Sequence, residues 1–461
     1  MMRKFFFVAF CALTSFTAPA VAGGLMTNTN YHIAFDRMMA RGATFDIDAA
    51  YSNPAGLAWG HEGFQLSLNF QKPWQNRDIT TTIPNYLAYP GVYDGYNGFN
   101  NKKFEGVASA PIVPALFASY KKDRWALSTM IGIVGSGGFV EYDEGVPMFN
   151  ALVMGSIFKQ TLTAKKMNPE APIAIVTPDM YTIDSKVEGK QYIYGGQLNF
   201  TYQITDRFAA AVGLRVNYYD GYSRVNLKAT TLPALGGQTL TDMKLDCTQR
   251  GWGVAPIISF DYHQDRFTVA ARYEFRTKIE TTNDTKELPE GLGDLAAPYA
   301  DGAKTRYDMP ALLVIAGRYD FSPSLRATLE YHYFDDTHAK MAGDRQKTLE
   351  HGTNEFLAGI EWDINDKFTV SCGGQRTDYG LSDDYQQNTS FACDSYSVGL
   401  GGAWNITEKL RLNAGYFCTI YSDYTRKYTA EQGGYQGTGY PGQDVYSRTN
   451  HVIGLGIDYK F

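Results

Sequence analysis

The sequence holds no apolar run long enough to cross a membrane as a helix. Such a span takes about 20 continuous apolar residues, and none occurs beyond the opening segment. This argues against a helical membrane protein but not against a closed β-barrel, whose backbone groups pair between strands. Charge is sparse as well. Asp, Glu, Lys and Arg make up 20% of the 461 residues, and the formal net charge is −6. The ionic residues are scattered with no basic stretch, so no nucleic acid partner is expected. The seven histidines are dispersed and form no H-E-x-x-H pattern, which removes that metal site. Asp335-Asp336-Thr337-His338 and Asp383-Asp384 read as solvated acidic turns rather than cation sites. Cys247, Cys372, Cys393 and Cys418 form no C-x-x-C pair, which argues against a redox centre, while a disulfide in an oxidising compartment stays open. Isolated serines have no adjoining base to make a hydrolase triad. The expectation is a non-enzyme without cofactor or metal.

What the chain does have is aromatic residues and glycine: 33 Tyr, 27 Phe and 46 Gly. Aromatic-rich, weakly charged strands suit a wall with one face in lipid and the other in a polar interior. The start reads as a signal peptide over 1–22. Arg3 and Lys4 precede a largely apolar Phe5–Phe16, and Ala20-Val21-Ala22 offers a cleavage site before Gly23.

From about Gly63 the hydrophobic period becomes two. Phe64, Leu66, Leu68 and Phe70 alternate with Gln65, Ser67, Asn69 and Gln71. In Phe267–Ile279, the residues Arg272, Arg276 and Lys278 share the polar-facing parity. Interior ion pairs of these and Arg215 with Glu274, Glu330 or Glu361 are expected, to hold an interior element or to line a route. His332 falls at a lumen position. Fourteen strands are predicted at 63–73, 103–120, 124–139, 191–204, 207–230, 249–262, 266–279, 307–321, 324–335, 352–365, 367–379, 392–406, 409–422 and 448–461. Pro111 and Pro114 interrupt the second, because proline donates no ladder hydrogen bond. Short turns at Lys122-Asp123, Thr205-Asp206, Gln264-Asp265, Ser322-Pro323, Asn365-Asp366 and Thr407-Glu408 alternate with long polar connections. That order is the barrel's: short periplasmic turns, long external loops. The final strand ends on Phe461 and is placed to pair with the first, leaving no edge.

Residues 23–62 do not alternate. Ile33–Arg41 is predicted to form a short helix broken at Gly42, and Asn53-Pro54-Ala55-Gly56 to turn. Gly23-Gly24-Leu25, Ala40-Arg41-Gly42-Ala43 and Asp48-Ala49-Ala50-Tyr51-Ser52-Asn53-Pro54-Ala55-Gly56-Leu57 together resemble the OmpP1/FadL/TodX family of outer-membrane transporters for long-chain fatty acids and other hydrophobic compounds. Gly137-Gly138-Phe139, followed by Glu141-Tyr142-Asp143-Glu144-Gly145, resembles the third-strand exit of bacterial relatives. The resemblance runs from the mature N-terminus through Phe461.

The resemblance implies an all-β fold: a 14-stranded antiparallel transmembrane barrel over 63–461 with an N-terminal lumenal hatch over 23–62. Arg41, Gly42, Asn53, Pro54 and Ala55 carry over as hatch determinants, and Pro111 and Pro114 mark the region of a lateral opening. Hydrophobic capture is assigned to Phe149, Leu152, Val153 and Phe158 in the long 140–190 connection, opposed by Leu288, Leu292 and Leu295. The implied function is passive import of long-chain fatty acid, or of an aromatic or lipid-like molecule, by reversible burial of apolar surface. The partners expected are that ligand, outer-membrane lipid and lipopolysaccharide, and the barrel assembly machinery, for a monomeric chain. A TonB-driven transporter is disfavoured because the N-terminal segment is too small. A surface-interaction barrel and a polar-solute porin are the alternatives.

Overall fold

The computed structural model describes residues 25–110, 112–289 and 297–461. The expected signal peptide, Pro111, Leu292 and Leu295 lie outside the described residues. Nineteen strands form one sheet. They are β1 (Gly63–Thr82), β2 (Lys102–Phe104), β3 (Val107–Ser109), β4 (Val113–Lys122), β5 (Trp125–Tyr142), β6 (Tyr181–Gln203), β7 (Phe208–Thr231), β8 (Thr239–Gln264), β9 (Phe267–Glu274) and β10 (Glu280–Glu287). There follow β11 (Lys304–Arg306), β12 (Leu312–Ser322), β13 (Leu325–Phe334), β14 (Thr353–Asp363), β15 (Phe368–Asp378), β16 (Ser395–Asn405), β17 (Leu410–Tyr421), β18 (Tyr424–Tyr428) and β19 (Gly442–Lys460).

The pieces β2–β4, β9–β10, β11–β12 and β17–β18 each complete one crossing, so the wall is a closed 14-stranded antiparallel barrel. Closure runs from Gln65↔Lys460 to Thr82↔Gln443. Leu455 and Ile457 are exposed on its outside, while Gly454 and Gly456 are buried within. Large apolar side chains outside and polar ones inside is the arrangement of an outer-membrane barrel, whose solvent is lipid. The short turns work because Asp123 and Asp265 tolerate positive φ, 52° and 53°.

The strands are longer at the long-loop end than their alternation predicts. β1 runs to Thr82 rather than 73, β6 starts at Tyr181 rather than 191, and β8 at Thr239 rather than 249. Above the lipid band the outer face is polar. Lys186 pairs with Glu188 at 3.1 Å and Arg224 with Asp246 at 3.2 Å. The alternation there reverses, with Val187, Leu245 and Cys247 buried inside and the charged side chains outside, although the ladder continues. The predicted seventh strand needs a correction too. It breaks after Glu274 and resumes at Glu280, with Thr277 bridged to Met309. Arg272 is buried inside, but Lys278 is exposed and Ile279 buried. The parity flips across the break, so Lys278 does not share the inward face of Arg272. The second crossing is broken between Ser109 of β3 and Val113 of β4, while Pro114 lies within β4 and pairs with Phe70.

The wall makes its own prediction. Leu329, 69% exposed, faces lipid from the middle of β13. Leu329→Arg is expected to destabilise the barrel by about 2–4 kcal/mol, read from urea unfolding in lipid vesicles.

Candidate functional site

Residues 25–59 fill the lumen as a plug of short helices: α1 (Ile33–Met38), α2 (Ala49–Ser52) and a 3-10 turn over Pro54–Trp59. His32 caps α1, its Nδ1 accepting from the Ala34 N–H at 3.0 Å. The helix ends at Met39 in the left-handed region, φ 66°, three residues before the break expected at Gly42. All six residues of α1 are buried. Its seat is a patch of wall glycines. A Cβ on Gly359 or Gly373 would collide with the Met38 carbonyl oxygen, and one on Gly399 with that of Asp36. Side chains at those wall positions would lift the helix off the barrel.

Charge holds the same element. Arg37 pairs with buried Glu361, which also accepts from Arg326 Nε at 2.8 Å. Arg41 donates to both carboxylate oxygens of Asp48, at 2.7 and 2.9 Å, and closes the plug on itself. The Gly42 N–H reaches Glu330 at 2.7 Å, and Glu330 with Glu355 brackets His332 at 2.6 and 2.8 Å. Further on, Asn53 Nδ2 donates to Asp261 at 3.1 Å, the Pro54 carbonyl accepts from Thr201 at 2.8 Å, and the Ala55 N–H donates to Ser259 at 3.0 Å. Arg215 pairs with Glu274 beneath Tyr51, and Arg272 lies 4.4 Å over the Tyr51 ring. Removing one member of such a buried pair costs about 3–5 kcal/mol, because the other is left charged and unpaired.

The start of the plug meets an irregular part of the wall. β5 carries two register shifts, between Ile133 and Gly135 and between Ser136 and Gly138. The carbonyls there turn inward to the plug. Val134 accepts from the Asn28 N–H at 3.1 Å and the Tyr31 hydroxyl at 3.0 Å, and Ile133 accepts from Asn28 Nδ2 at 3.3 Å. On the lipid side of this place is a notch of about 520 Å³, lined by Phe70, Pro114, Leu116, Ile131 and Tyr194 among others. Pro114 stands opposite Phe70 in the ladder.

At the outer end a 21-residue helix, α3 (Pro147–Met167), lies within the predicted capture connection. Phe149, Val153 and Phe158 belong to one apolar cluster with Phe99, Phe104, Phe391, Tyr435 and Tyr446, and Leu152 is buried on the same helix. The structure places Leu288 apart from this cluster, 37% exposed. The opposing wall comes instead from the tyrosine-rich connections around Tyr86 and Tyr435, which alternation does not single out. Among the described residues no group of acidic, histidine and cysteine side chains could hold a metal.

No family model matches the sequence, and no curated protein sequence matches it. The fold does have relatives among solved structures. A Pseudomonas aeruginosa FadL homologue matches with a TM-score of 0.64 at 15% identity, over 95% of this chain and 100% of that one. The P. putida toluene transporter TodX matches with a TM-score of 0.53 at 15% identity, over 91% and 95%. The CymD monoaromatic hydrocarbon channel matches with a TM-score of 0.50 at 12% identity, over 90% and 93%. At this identity the likeness establishes a shared fold and no more.

Two predictions follow from the seat. Gly373→Leu is expected to unseat α1 and admit polar antibiotics that wild-type cells exclude, read as growth sensitivity. The second concerns Asp36, whose carboxylate oxygens have no hydrogen-bond partner among the described residues. Burial raises its pKa well above the usual carboxylate range, and the Asn30 side chain offsets only part of this. A group whose folded pKa is raised stabilises the seated plug while protonated, and that contribution is lost as pH rises through the raised value. Ion conductance in planar bilayers should therefore climb with pH in the wild type and stay flat in Asp36→Asn.

Proposed function

We propose that this barrel carries hydrophobic molecules passively across the bacterial outer membrane, with long-chain fatty acids the first class and aromatic or lipid-like molecules the second. The aromatic cluster under α3 takes the molecule out of water, since burying apolar surface is worth about 25 cal/mol per Å². The plug, 23–62, then shifts as a hatch, and the molecule leaves sideways through the wall beside Pro114. Arg41, Gly42, Asn53, Pro54 and Ala55 keep the remainder of the hatch in register with the wall, so that its leading end moves.

The observation that carries this reading is the contact of Asn28 and Tyr31 with the Ile133 and Val134 carbonyls. The residues that fill the lumen are bonded to the shifted stretch of β5 that borders the notch. Moving one changes the other. A polar-solute porin fits less well, because buried plug residues occupy its water path. The relatives' names, a FadL homologue and a toluene transporter, point to the same ligand classes.

A reversible tether tests the reading. With Asn28→Cys and Val134→Cys together, labelled fatty acid uptake by cells should stop on oxidation and return on reduction. Uptake that persists in the oxidised form would remove hatch movement from the mechanism. Uptake no greater than in cells lacking the protein, even when reduced and in the wild type, would favour a surface-interaction barrel.

A further inference from the structure

Gly359, Gly373 and Gly399 face inward and are pressed by the plug. Gly317 and Gly374 face the other way, toward lipid. A Cβ on Gly317 would meet nothing within 4 Å, and one on Gly374 only the Ser397 carbonyl oxygen at 3.5 Å. Glycine weakens a strand interior and marks a bulge, a bend or a close approach by another molecule. The ladders run unshifted through both positions, since the one shift of β12 against β13 falls at Asp320–Ser322. Close approach from outside is the reading that remains.

The two glycines lie in a groove of about 800 Å³ on the outer face of the wall. One ladder row crosses it: Gly317, Leu329, Ala358, Gly374 and Val398 are successive partners. The next row outward stands over it as Tyr331, Phe356, Arg376 and Tyr396. Arg376 is exposed and lies 5.7 Å over the Tyr396 ring. It forms no ion pair among the described residues, whereas the outward Arg224 and Arg250 each have an aspartate. The acids beyond it are engaged elsewhere: Asp378 takes the Gly380 N–H at 3.2 Å and Asp394 the Tyr379 N–H at 2.9 Å.

The height of this cation matters. At the short-turn end of the same strand, Phe368 stacks on Trp404 at 6.1 Å, as expected of an aromatic girdle. From Phe368 to Arg376, at about 3.3 Å per residue and a tilt of about 40°, the wall rises about 20 Å. The apolar band of such a barrel is about 25 Å tall. Arg376 therefore stands at the outer edge of the band, level with the head groups of the outer leaflet, and the groove runs beneath it among the acyl chains.

We infer that this groove binds a phosphorylated, acylated glycolipid of the outer leaflet, the chemistry of lipid A in lipopolysaccharide. One acyl chain lies against Ala358 and Gly374, and a phosphate takes the Arg376 guanidinium. The site is on the outside of the barrel and does not rest on the transport reading. Among lipid chains apolar burial gives no preference, so fit and charge decide. The missing side chains at 317 and 374 bring the chain close enough for dispersion contact, and the planar guanidinium offers two parallel N–H donors to a phosphate. A second copy of the barrel suits the groove less well. Two-fold docking would bring two unpaired guanidiniums into one apolar interface, which is costly.

The test is native mass spectrometry of the full protein, folded in detergent and titrated with lipid A, with its phosphate-free form and with phosphatidylglycerol. The wild type should hold one lipid A at least about tenfold more tightly than the phosphate-free form, the ratio that one charge-assisted hydrogen bond supplies. Arg376→Gln should remove that difference. Gly374→Leu should weaken both forms alike, and a leucine facing lipid leaves the barrel folded, which heat-dependent gel migration checks. Equal binding of the two forms by the wild type, or binding that survives Gly374→Leu, would mean ordinary surrounding lipid and overturns the site. Phosphatidylglycerol held as tightly as lipid A overturns the glycolipid assignment. A dimer that Gly374→Leu dissociates, with no lipid retained, overturns it in favour of a second copy.

Discussion

The constraint on which this structure depends is that a backbone amide in hydrocarbon must find its partner within the protein. Closure of β1 on β19 meets it around most of the wall. It is met differently along the broken second crossing and β5, where the register shifts and strand-to-strand pairing is interrupted. There Asn28 and Tyr31 supply hydrogen bonds from the inside. The plug is therefore part of the wall's hydrogen bonding where the β5 register shifts, as well as a filler of the lumen.

Two kinds of contact seat the rest of the plug. Glycines at 359, 373 and 399 let the backbone of α1 approach the sheet closely, while Glu361 receives Arg37, Glu330 the Gly42 N–H and Asp261 the Asn53 amide. The first kind depends on shape and tolerates no added atom. The second is directional and fixes orientation. Asp36 shares the first kind through its backbone but not the second: its carboxylate oxygens are buried without a hydrogen-bond partner among the described residues.

The wall was legible in the sequence where the two faces differ in solvent. Ile453, Leu455 and Ile457 against Gly454 and Gly456 announce a strand with lipid on one side. Above the lipid band the alternation reverses, with Val187, Leu245 and Cys247 buried inside and charged side chains outside, so apolar residues on the lipid face do not mark the upper parts of β6 and β8. Alternation also fails across the flip between Glu274 and Ile279. The helix α3 hid for another reason. Its burial changes along its length, with Pro147–Phe158 mostly buried and the end at Lys166-Met167 exposed, and so presents no stripe around it. The plug was legible through Arg41, Gly42 and Asn53-Pro54-Ala55, which lie close together in the chain. Its glycine seat was not, because Gly359, Gly373 and Gly399 come from three different strands and only the fold brings them together.

The order of the chain adds a consequence for biogenesis. The plug precedes β1, yet part of its anchorage comes from the last strand: Asp458 lies 3.2 Å from His32, and Gly454 packs against Ile33 and Asp36. A segment made before β1 thus completes its docking only when β19 has been delivered. A chain released short of β19 lacks both the seam and this anchorage. Sealing the wall and stoppering the lumen become one event, and an unfinished molecule cannot pass for a finished one.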